Sequence, residues 1–167
     1  MLNNYEWNKF VLRINIKSSI QEIYDAITKA ESLESWYLYK ASFATTDDNL
    51  RDPQSNMQKE DSYTWQWCGI SKDFIQKGTI LEANGQDEVR FTFTGETIVT
   101  IIIKVEEGEN IVELWQENIP TTDAAKIEYH LNCIKSWTFY LANLKSLLEG
   151  GVDLRNKNEN IRNLVNG

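Results

Sequence analysis

The residues most able to do chemistry are the single histidine, His130, and the cysteine three positions after it, Cys133. Side chains three apart on a helix lie on one face, so this pair could bind a metal ion or act as a catalytic Cys–His pair. A zinc site needs three or four protein ligands, and the sequence has no second histidine and no C-x-x-C motif to supply them. We therefore interpret His130 as a packing residue and predict neither a metal site nor a catalytic residue.

Other catalytic patterns are equally weak. The sequence has no G-x-S-x-G nucleophile elbow and no glycine-rich phosphate loop, so no nucleotide or other cofactor is predicted. Glu82, Glu113 and Glu117 lie in strand patterns and could act as a general base if one faced a cavity and lost its solvation. However, the chain has 25 acidic residues, and nothing distinguishes these three from solvated carboxylates. A cyclase or hydrolase-like enzyme that uses a cavity acid or tyrosine as a proton relay is therefore the third hypothesis, behind two kinds of binding.

Large aromatic side chains give the strongest signal. They lie on elements that would surround one concavity, and aromatic rings with a few polar groups are typical of small-molecule pockets. The alternative is that the same rings fill the space between sheet and helix at the density of a crystal, and the sequence leaves both possibilities open. The candidate cavity residues are Trp36, Phe43, Trp65, Trp67, Phe91, Phe93, Tyr129, Cys133, Trp137 and Tyr140.

A long helix from Asp123 to Glu149, called the closing helix below, must position several of these residues. It begins after a hydroxyl-rich Pro120–Thr122 segment and ends at Gly150, which suits a C-cap. At 1.5 Å per residue it would be about 40 Å long. Six apolar residues recur at steps of three, four or seven and predict one continuous buried face: Ile127, Leu131, Ile134, Leu141, Leu144 and Leu148.

The preceding chain predicts strands with short turns. Phe10–Lys17 alternates apolar and polar residues, and Ser19 with Glu22 has the capping-box spacing that opens a short helix. A helical turn over Leu33–Trp36 follows, and then six further strand patterns: 37–44, 63–69, 75–83, 89–94, 98–105 and 111–119. Turns this short require antiparallel neighbours. We predict one α+β domain over residues 1–150, in which a curved antiparallel sheet of six to seven strands grips the closing helix, followed by a tail over 151–167.

A polar segment, Thr45–Ser62, interrupts this pattern. It is rich in Asp, Asn, Ser and Gln, and we expect it to contribute nothing to the core. Loops longer than about 12–15 residues are often lids or binding loops, although some are simply mobile. The sequence slightly favours the mobile loop.

Five stretches in this order resemble a known family: Lys17–Ile27, Leu33–Trp36, Gly78–Glu82, Ile98–Ile101 and Trp137–Glu149. They are similar to the START-like or SRPBCC superfamily, which has the helix-grip fold of the birch pollen allergen. Within it they resemble the bacterial branch related to the C-terminal domain of activators of the heat-shock-protein ATPase. The resemblance implies a cavity between sheet and helix that holds an apolar or aromatic ligand in many relatives. It does not imply a reaction, because function within one fold varies.

Two binding hypotheses follow. The first is a small binding module that holds an apolar or aromatic small molecule. The alternative, which the resemblance implies, is a chaperone-linked interaction domain, although we expect this chain to lack the separate N-terminal domain of full activators. The net charge of -8 without a basic cluster argues against nucleic acid as a partner.

Compartment and assembly are less clearly marked. The absence of a signal-like N-terminus or an apolar run of about 20 residues predicts a cytoplasmic protein without a membrane span. Cys68 and Cys133 are interpreted as reduced packing residues. In the last strand Trp115 alternates with inward-facing residues, so it is predicted to face outward and to form, with Ile98 and Ile102, a homodimer or partner surface.

Overall fold

A computed structural model describes residues 5–165 of the chain. Seven strands precede the closing helix, with two short helices after the first strand. The elements are β1 (Phe10–Asn15), α1 (Ile20–Thr28), α2 (Ala30–Trp36), β2 (Lys40–Ala44), β3 (Ser62–Gln66), β4 (Gln76–Ala83), β5 (Glu88–Thr92), β6 (Ile98–Glu106), β7 (Glu109–Glu117), α3 (Asp123–Ala125) and α4 (Asn132–Leu148). A 3₁₀ turn, Thr94–Glu96, connects β5 to β6, and a π-helical segment, Lys126–Leu131, connects α3 to α4.

All neighbouring strands are antiparallel, in the order β1-β7-β6-β5-β4-β3-β2. The chain therefore forms a meander whose last strand, β7, pairs with the first. Leu12, Leu114 and Ile101 lie opposite one another on β1, β7 and β6, and Leu114 and Ile101 are buried on the face beneath the helix. The predicted α+β architecture, a curved sheet with a long C-terminal helix, is confirmed.

Local sequence signals explain several boundaries. Glu22 N–H donates to Ser19 Oγ at 3.2 Å, and Ser19 N–H donates to Glu22 Oε2 at 3.0 Å, which completes the predicted capping box of α1. In the β4–β5 turn, Asn84 Oδ1 accepts three backbone N–H groups at 3.0 Å. Gly85 there has φ +76°, a conformation that glycine adopts without strain.

The second strand begins later than predicted. Tyr37 ends α2, with its N–H donating to Leu33 O at 2.9 Å, and β2 starts at Lys40. The alternation that placed Tyr37 in a strand is overridden because the helix extends to Trp36 and buries the Tyr37 side chain in the core.

The polar segment 45–62 is not excluded from the core, which corrects the prediction. Met57 is 1% exposed, and its N–H donates to Thr28 O at the end of α1. Asp61 is also buried and accepts two hydrogen bonds from Arg51, at 2.6 and 2.7 Å. Such bidentate pairing satisfies a carboxylate that burial would otherwise destabilise. A single apolar side chain and one ion pair thus fix a segment whose composition suggested mobility.

The closing helix forms as predicted, but its buried face is not continuous. Leu141 and Leu144 are buried, whereas Ile127 and Leu131 are 57% and 49% exposed. A π-helical turn takes in more residues than an α-helical turn, so it rotates the side chains that follow it around the helix axis. His130 therefore takes a buried position in this segment. The prediction of one apolar stripe is wrong for the N-terminal part of the helix.

The tail packs against α2 and the closing helix. The Arg155 guanidinium donates to the carbonyl oxygens of Glu34, Ser35 and Leu38 at 3.0, 2.8 and 3.0 Å. It also donates to Asp153, whose pKa is held well below its usual value by Arg155 and other hydrogen-bond donors despite the opposing effect of burial. Arg155 thus satisfies carbonyl groups at the end of α2 that the helix itself leaves unpaired.

Candidate functional site

The space between sheet and helix is packed at one end, called the closed end below. Trp36, Trp65 and Phe91 are at most 2% exposed there, and the void that they border has a volume of about 10 Å³. Trp65 stacks on Tyr63 with ring centroids 3.9 Å apart and meets Phe91 edge-on at 5.2 Å. At this end the aromatic residues simply fill the core, which is the alternative to a ligand cavity.

At the other end the same two layers separate and leave a pocket of about 210 Å³, called the open pocket below. Its walls are aromatic: Phe93 lies 5.6 Å from Trp137, and Trp67 lies 6.1 Å from Phe74, between ring centroids. The lining consists of Tyr37, Trp67, Ile70, Phe74, Gln76, Phe93, Thr94, Glu128, Asn132, Cys133, Ser136, Trp137 and Tyr140.

The π-helical segment shapes the helix side of the open pocket. Glu128 lies within this segment, and Asn132 and Cys133 follow directly after it. The Cys133 thiol is placed to donate to the Glu128 carbonyl, with 3.8 Å between sulfur and oxygen. Inserted π turns are rare and are frequently found at functional sites. Glu128 of this segment lines the same pocket as Asn132 and Ser136 of α4.

The interior of the pocket is electrically neutral near pH 7. Burial raises the pKa of the Tyr37 hydroxyl well above its usual value, and it raises the pKa of Tyr140 to about 12. Burial also raises the pKa of the Cys133 thiol, which keeps it protonated and therefore a poor nucleophile. These groups can donate hydrogen bonds to a ligand, but none is poised as an acid or base at neutral pH.

The structure divides the residues proposed from sequence among four positions. Those that line the open pocket are Trp67, Phe93, Cys133, Trp137 and Tyr140. Trp36, Trp65 and Phe91 surround the closed end, which Trp137 also reaches. Phe43 is buried on β2 and lines neither space, and Tyr129 packs against Gly95, where a Cβ atom would come within 2.6 Å of its ring.

Sequence reasoning missed Tyr37, Phe74 and the polar residues around the entrance. Tyr37 was assigned to a strand, and Phe74 lies in the loop between β3 and β4, where no periodicity marks it. Gln76, Glu128 and Asn132 line the pocket because the start of β4 faces the helix at the junction of its π-helical segment and α4. No sequence pattern marks these polar residues as pocket-lining, because the π turn that precedes α4 is itself not visible in the sequence.

His130 is a packing residue, as interpreted from sequence. It is buried, and because the Trp7 carbonyl can only accept, the Nδ1–H must donate to it, at 2.9 Å. Nε2 then accepts from the Tyr5 hydroxyl at 2.8 Å. The rings of Tyr5, Trp7 and Phe10 surround the imidazole with centroids 5.1–5.4 Å away. His130 thus anchors the N-terminal segment to the helix.

The three candidate carboxylates lie outside the open pocket. Glu113 faces the outer side of the sheet, where Lys104 donates to it at 2.8 Å and Arg13 lies 3.0 Å from its second oxygen. The hydrogen bond from Lys104 lowers the pKa of Glu113, so it is ionised at neutral pH. Glu117 shares the outer face, and Glu82 pairs with a lysine at 3.4 Å. None of the three lines the pocket as a general base.

The sequence of the elements that form this site also resembles a known protein family. Residues 17–149 match the family described as Activator of Hsp90 ATPase homolog 1-like protein. This match extends over most of the chain, from the capping box of α1 to the end of the closing helix. The chain belongs to this family. Its fold and family together place it in the START-like superfamily.

Solved structures resemble this Hsp90-activator-like chain in fold. A protein from Staphylococcus saprophyticus superposes with a TM-score of 0.69 at 17% identity, covering 88% of this chain and 96% of the other. The Aha1 dimer from Colwellia psychrerythraea gives 0.65 at 18% identity, with 86% and 97% covered. A protein from Cytophaga hutchinsonii gives 0.59 at 20% identity, with 84% and 93% covered. No functionally curated protein matches the sequence.

The outer sheet face of this family member carries the residues proposed as an interface. Trp115 lies between Val11 and Thr100 on the neighbouring strands and is half-buried, with its indole N–H donating to Glu113 at 2.7 Å. Ile98 and Ile102 are half-buried on the same face. Trp115 therefore faces outward as predicted, although its neighbours cover part of it.

Within residues 5–165, none of the helices is long and apolar enough to cross a bilayer. The same part of the chain places no group of three or more His, Cys, Asp or Glu side chains where they could hold a metal ion.

Proposed function

We propose that the chain binds a small aromatic or apolar molecule in the open pocket between the sheet and the closing helix. The observation that carries the proposal is the contrast between the filled closed end and a pocket of about 210 Å³ walled by the same kinds of side chain. Ligand pockets are concave and largely apolar, with a few polar groups that orient the ligand. The open pocket has this composition.

Exposed apolar side chains at the entrance support the proposal. Ile70 and Phe74 line the pocket but remain 42% and 47% exposed. Covering such surface contributes about 25 cal/mol per Å² of apolar area removed from water. Pockets for drug-sized ligands typically have volumes of roughly 300–1,000 Å³. The open pocket is smaller, so it fits one or two rings rather than a long acyl chain.

The test is a titration with two neutral aromatic probes, indole and 2-naphthol, followed by isothermal calorimetry and protein-detected NMR. We expect saturable one-site binding, with shifts at Trp137 and Cys133 but not at Phe43. Ser136 lines the pocket on the helix, so Ser136→Leu should occupy part of the volume and weaken binding at least tenfold. The matched variant Ser136→Ala removes the hydroxyl without filling the pocket, so its affinity should stay within about threefold of the wild type.

Two results would reject this function. One is the absence of saturable binding by both probes. The other is binding that Ser136→Leu leaves unchanged while the shifts map to another surface. Native mass spectrometry of freshly purified protein would add an independent observation, because a mass excess lost on denaturation identifies a co-purified ligand.

The family description favours a second candidate, a chaperone-linked interaction domain. Activation of Hsp90 ATPase is the activity that the family description names, and an interaction role would use the surface rather than the pocket. A pull-down with purified Hsp90 and an ATPase assay test it directly. An Hsp90 interaction that Ser136→Leu leaves intact would support this candidate.

The proposal also covers the oligomeric state of the protein and its cellular compartment. The Colwellia relative is a dimer, which supports a homodimer for this chain. We propose that its interface is the outer sheet face, at Trp115, Ile98 and Ile102. Sedimentation of the wild type and Trp115→Ala tests it, since a dimer that uses this face should dissociate in the variant and a monomeric wild type would reject it. The unpaired thiols of Cys68 and Cys133 support the proposed cytoplasmic location.

A further inference from the structure

The polar groups of the open pocket are concentrated at its rim. Asn132 and Ser136 lie one helical turn apart, and Glu128 precedes Asn132 by four residues, so the three follow one side of the helix. Gln76 and Thr94 line the sheet side. The apolar walls and this polar rim together indicate an amphiphilic ligand, with its ring inside and its polar group at the entrance.

The charge of the rim distinguishes among such ligands. Of the described residues that line the pocket, only Glu128 carries a charge at neutral pH, and its carboxylate is exposed to solvent at the rim. The lining offers no lysine or arginine within residues 5–165 to pair with an anionic ligand. A carboxylate or phosphate held here would face Glu128 in a protein of net charge -8.

We propose that the ligand of the open pocket is an aromatic amine, whose ring lies among Trp67, Phe93 and Trp137 and whose ammonium group pairs with Glu128. This inference rests on the proposed function and adds the charge of the ligand. Gln76, Asn132 and Ser136 supply further oxygen acceptors near the same rim. The aromatic walls favour a cation as well, since the face of a tryptophan or phenylalanine ring attracts an ammonium group.

Three ligands that share a ring and differ in charge provide the experiment: 2-phenylethylamine, 2-phenylethanol and 3-phenylpropanoate. Their dissociation constants are measured by calorimetry at pH 7 in low and high salt. Exposed ion pairs and exposed cation–π contacts each favour binding only modestly. We therefore expect the amine to bind about tenfold more tightly than the carboxylate and about threefold more tightly than the alcohol, with both differences reduced in high salt.

Two charge-neutralising variants separate a local effect from the general field of the protein. Glu128→Gln should weaken amine binding about threefold and leave the alcohol unchanged. Glu31→Gln is the matched control, because Glu31 is exposed on α2 and does not line the pocket. It removes the same charge and should alter neither ligand.

The outcomes are distinguishable. If the alcohol binds at the pocket as tightly as the amine, or if Glu31→Gln weakens the amine as much as Glu128→Gln does, the inference is overturned and the proposed function stands. If none of the three ligands binds and the neutral probes also fail, both are overturned. Tighter binding of the carboxylate would likewise overturn the charge assignment.

Discussion

The closed end and the open pocket are lined by the same kinds of side chain. They differ in how completely those side chains fill the space between sheet and helix. Both lie between the sheet and the closing helix, and Trp137 borders both. At the closed end Trp36 and Trp65 leave about 10 Å³, whereas Trp67 and Phe93 leave about 210 Å³ at the open one. An abundance of aromatic residues therefore does not indicate a cavity by itself.

The backbone explains the difference. The closed end faces regular α4, whose side chains follow the 3.6-residue period, and is sealed by α2. The open pocket faces the first turns of α4 together with Glu128 of the π-helical segment. On the sheet side, the chain leaves β3 at Gln66 and returns only at Gln76. Irregular backbone on both layers keeps side chains from interdigitating, so the space stays open.

The largest effect expected from this comparison is on stability. Trp36 is fully buried and its indole N–H donates to Ala26 O at 2.9 Å. Trp36→Ala should reduce the free energy of unfolding by about 3–5 kcal/mol, as large-to-small core substitutions do. Trp67→Ala at the half-buried rim should cost only about 1–2 kcal/mol. Urea denaturation measures both, and equal losses would mean that the two ends do not differ in packing.

The tail supports the open end from outside. A cleft of about 300 Å³ lies between tail residues 155–159 and the loop after β3, and it shares Trp67 and Ile70 with the open pocket. Arg155→Ala would leave three carbonyl groups at the end of α2 and the Asp153 carboxylate without this partner. We expect a loss of about 2–3 kcal/mol in unfolding free energy.

A lysine cannot reproduce this arrangement, because its single ammonium group lacks the planar donors of arginine. Arg155→Lys should therefore recover less than half of the stability lost in Arg155→Ala. Full recovery by lysine would show that charge alone, rather than the fork of hydrogen bonds, secures the tail.

The sequence predicted what depends on neighbouring residues and missed what depends on distant ones. The capping box at Ser19 is local, so its pattern was sufficient. Burial of Met57 depends on α1, and the exposure of Ile127 depends on a π turn that no residue type specifies. The aromatic residues of the site were recognisable as inward-facing, but which of them border a void depends on contacts between separate elements.

The N-terminal segment on His130 predicts a dependence on pH. Burial lowers the pKa of His130, so the native state favours the neutral ring. The stability from His130 is then fully present above pH 6.5, the usual value, and is lost as the pH falls from there through the lower native pKa. We therefore expect the unfolding free energy to fall as the pH is lowered from 7.5 to 5.5.

Urea denaturation across this range, with His130→Phe as the comparison, isolates the effect. The variant keeps an aromatic ring among Tyr5, Trp7 and Phe10 but cannot titrate. The ammonium group of Lys126 also adjoins this cluster, 5.7 Å from the Trp7 ring centre. Parallel loss of stability in both proteins would assign the pH dependence to the carboxylates instead.

The smallest expected effect tests the register of the closing helix, on which the difference between the two ends depends. An uninterrupted α-helix would bury Leu131 together with Leu141, and a polar residue at either position would then cost several kcal/mol. With the π turn, Leu131 is 49% exposed and Leu141 is buried. Leu131→Gln should therefore change the unfolding free energy by less than about 0.5 kcal/mol, whereas Leu141→Gln should cost at least about 3 kcal/mol. Comparable losses from both substitutions would mean that Leu131 is buried as Leu141 is, as the continuous buried face predicted from sequence requires. The π turn could then not account for the open pocket beside the helix.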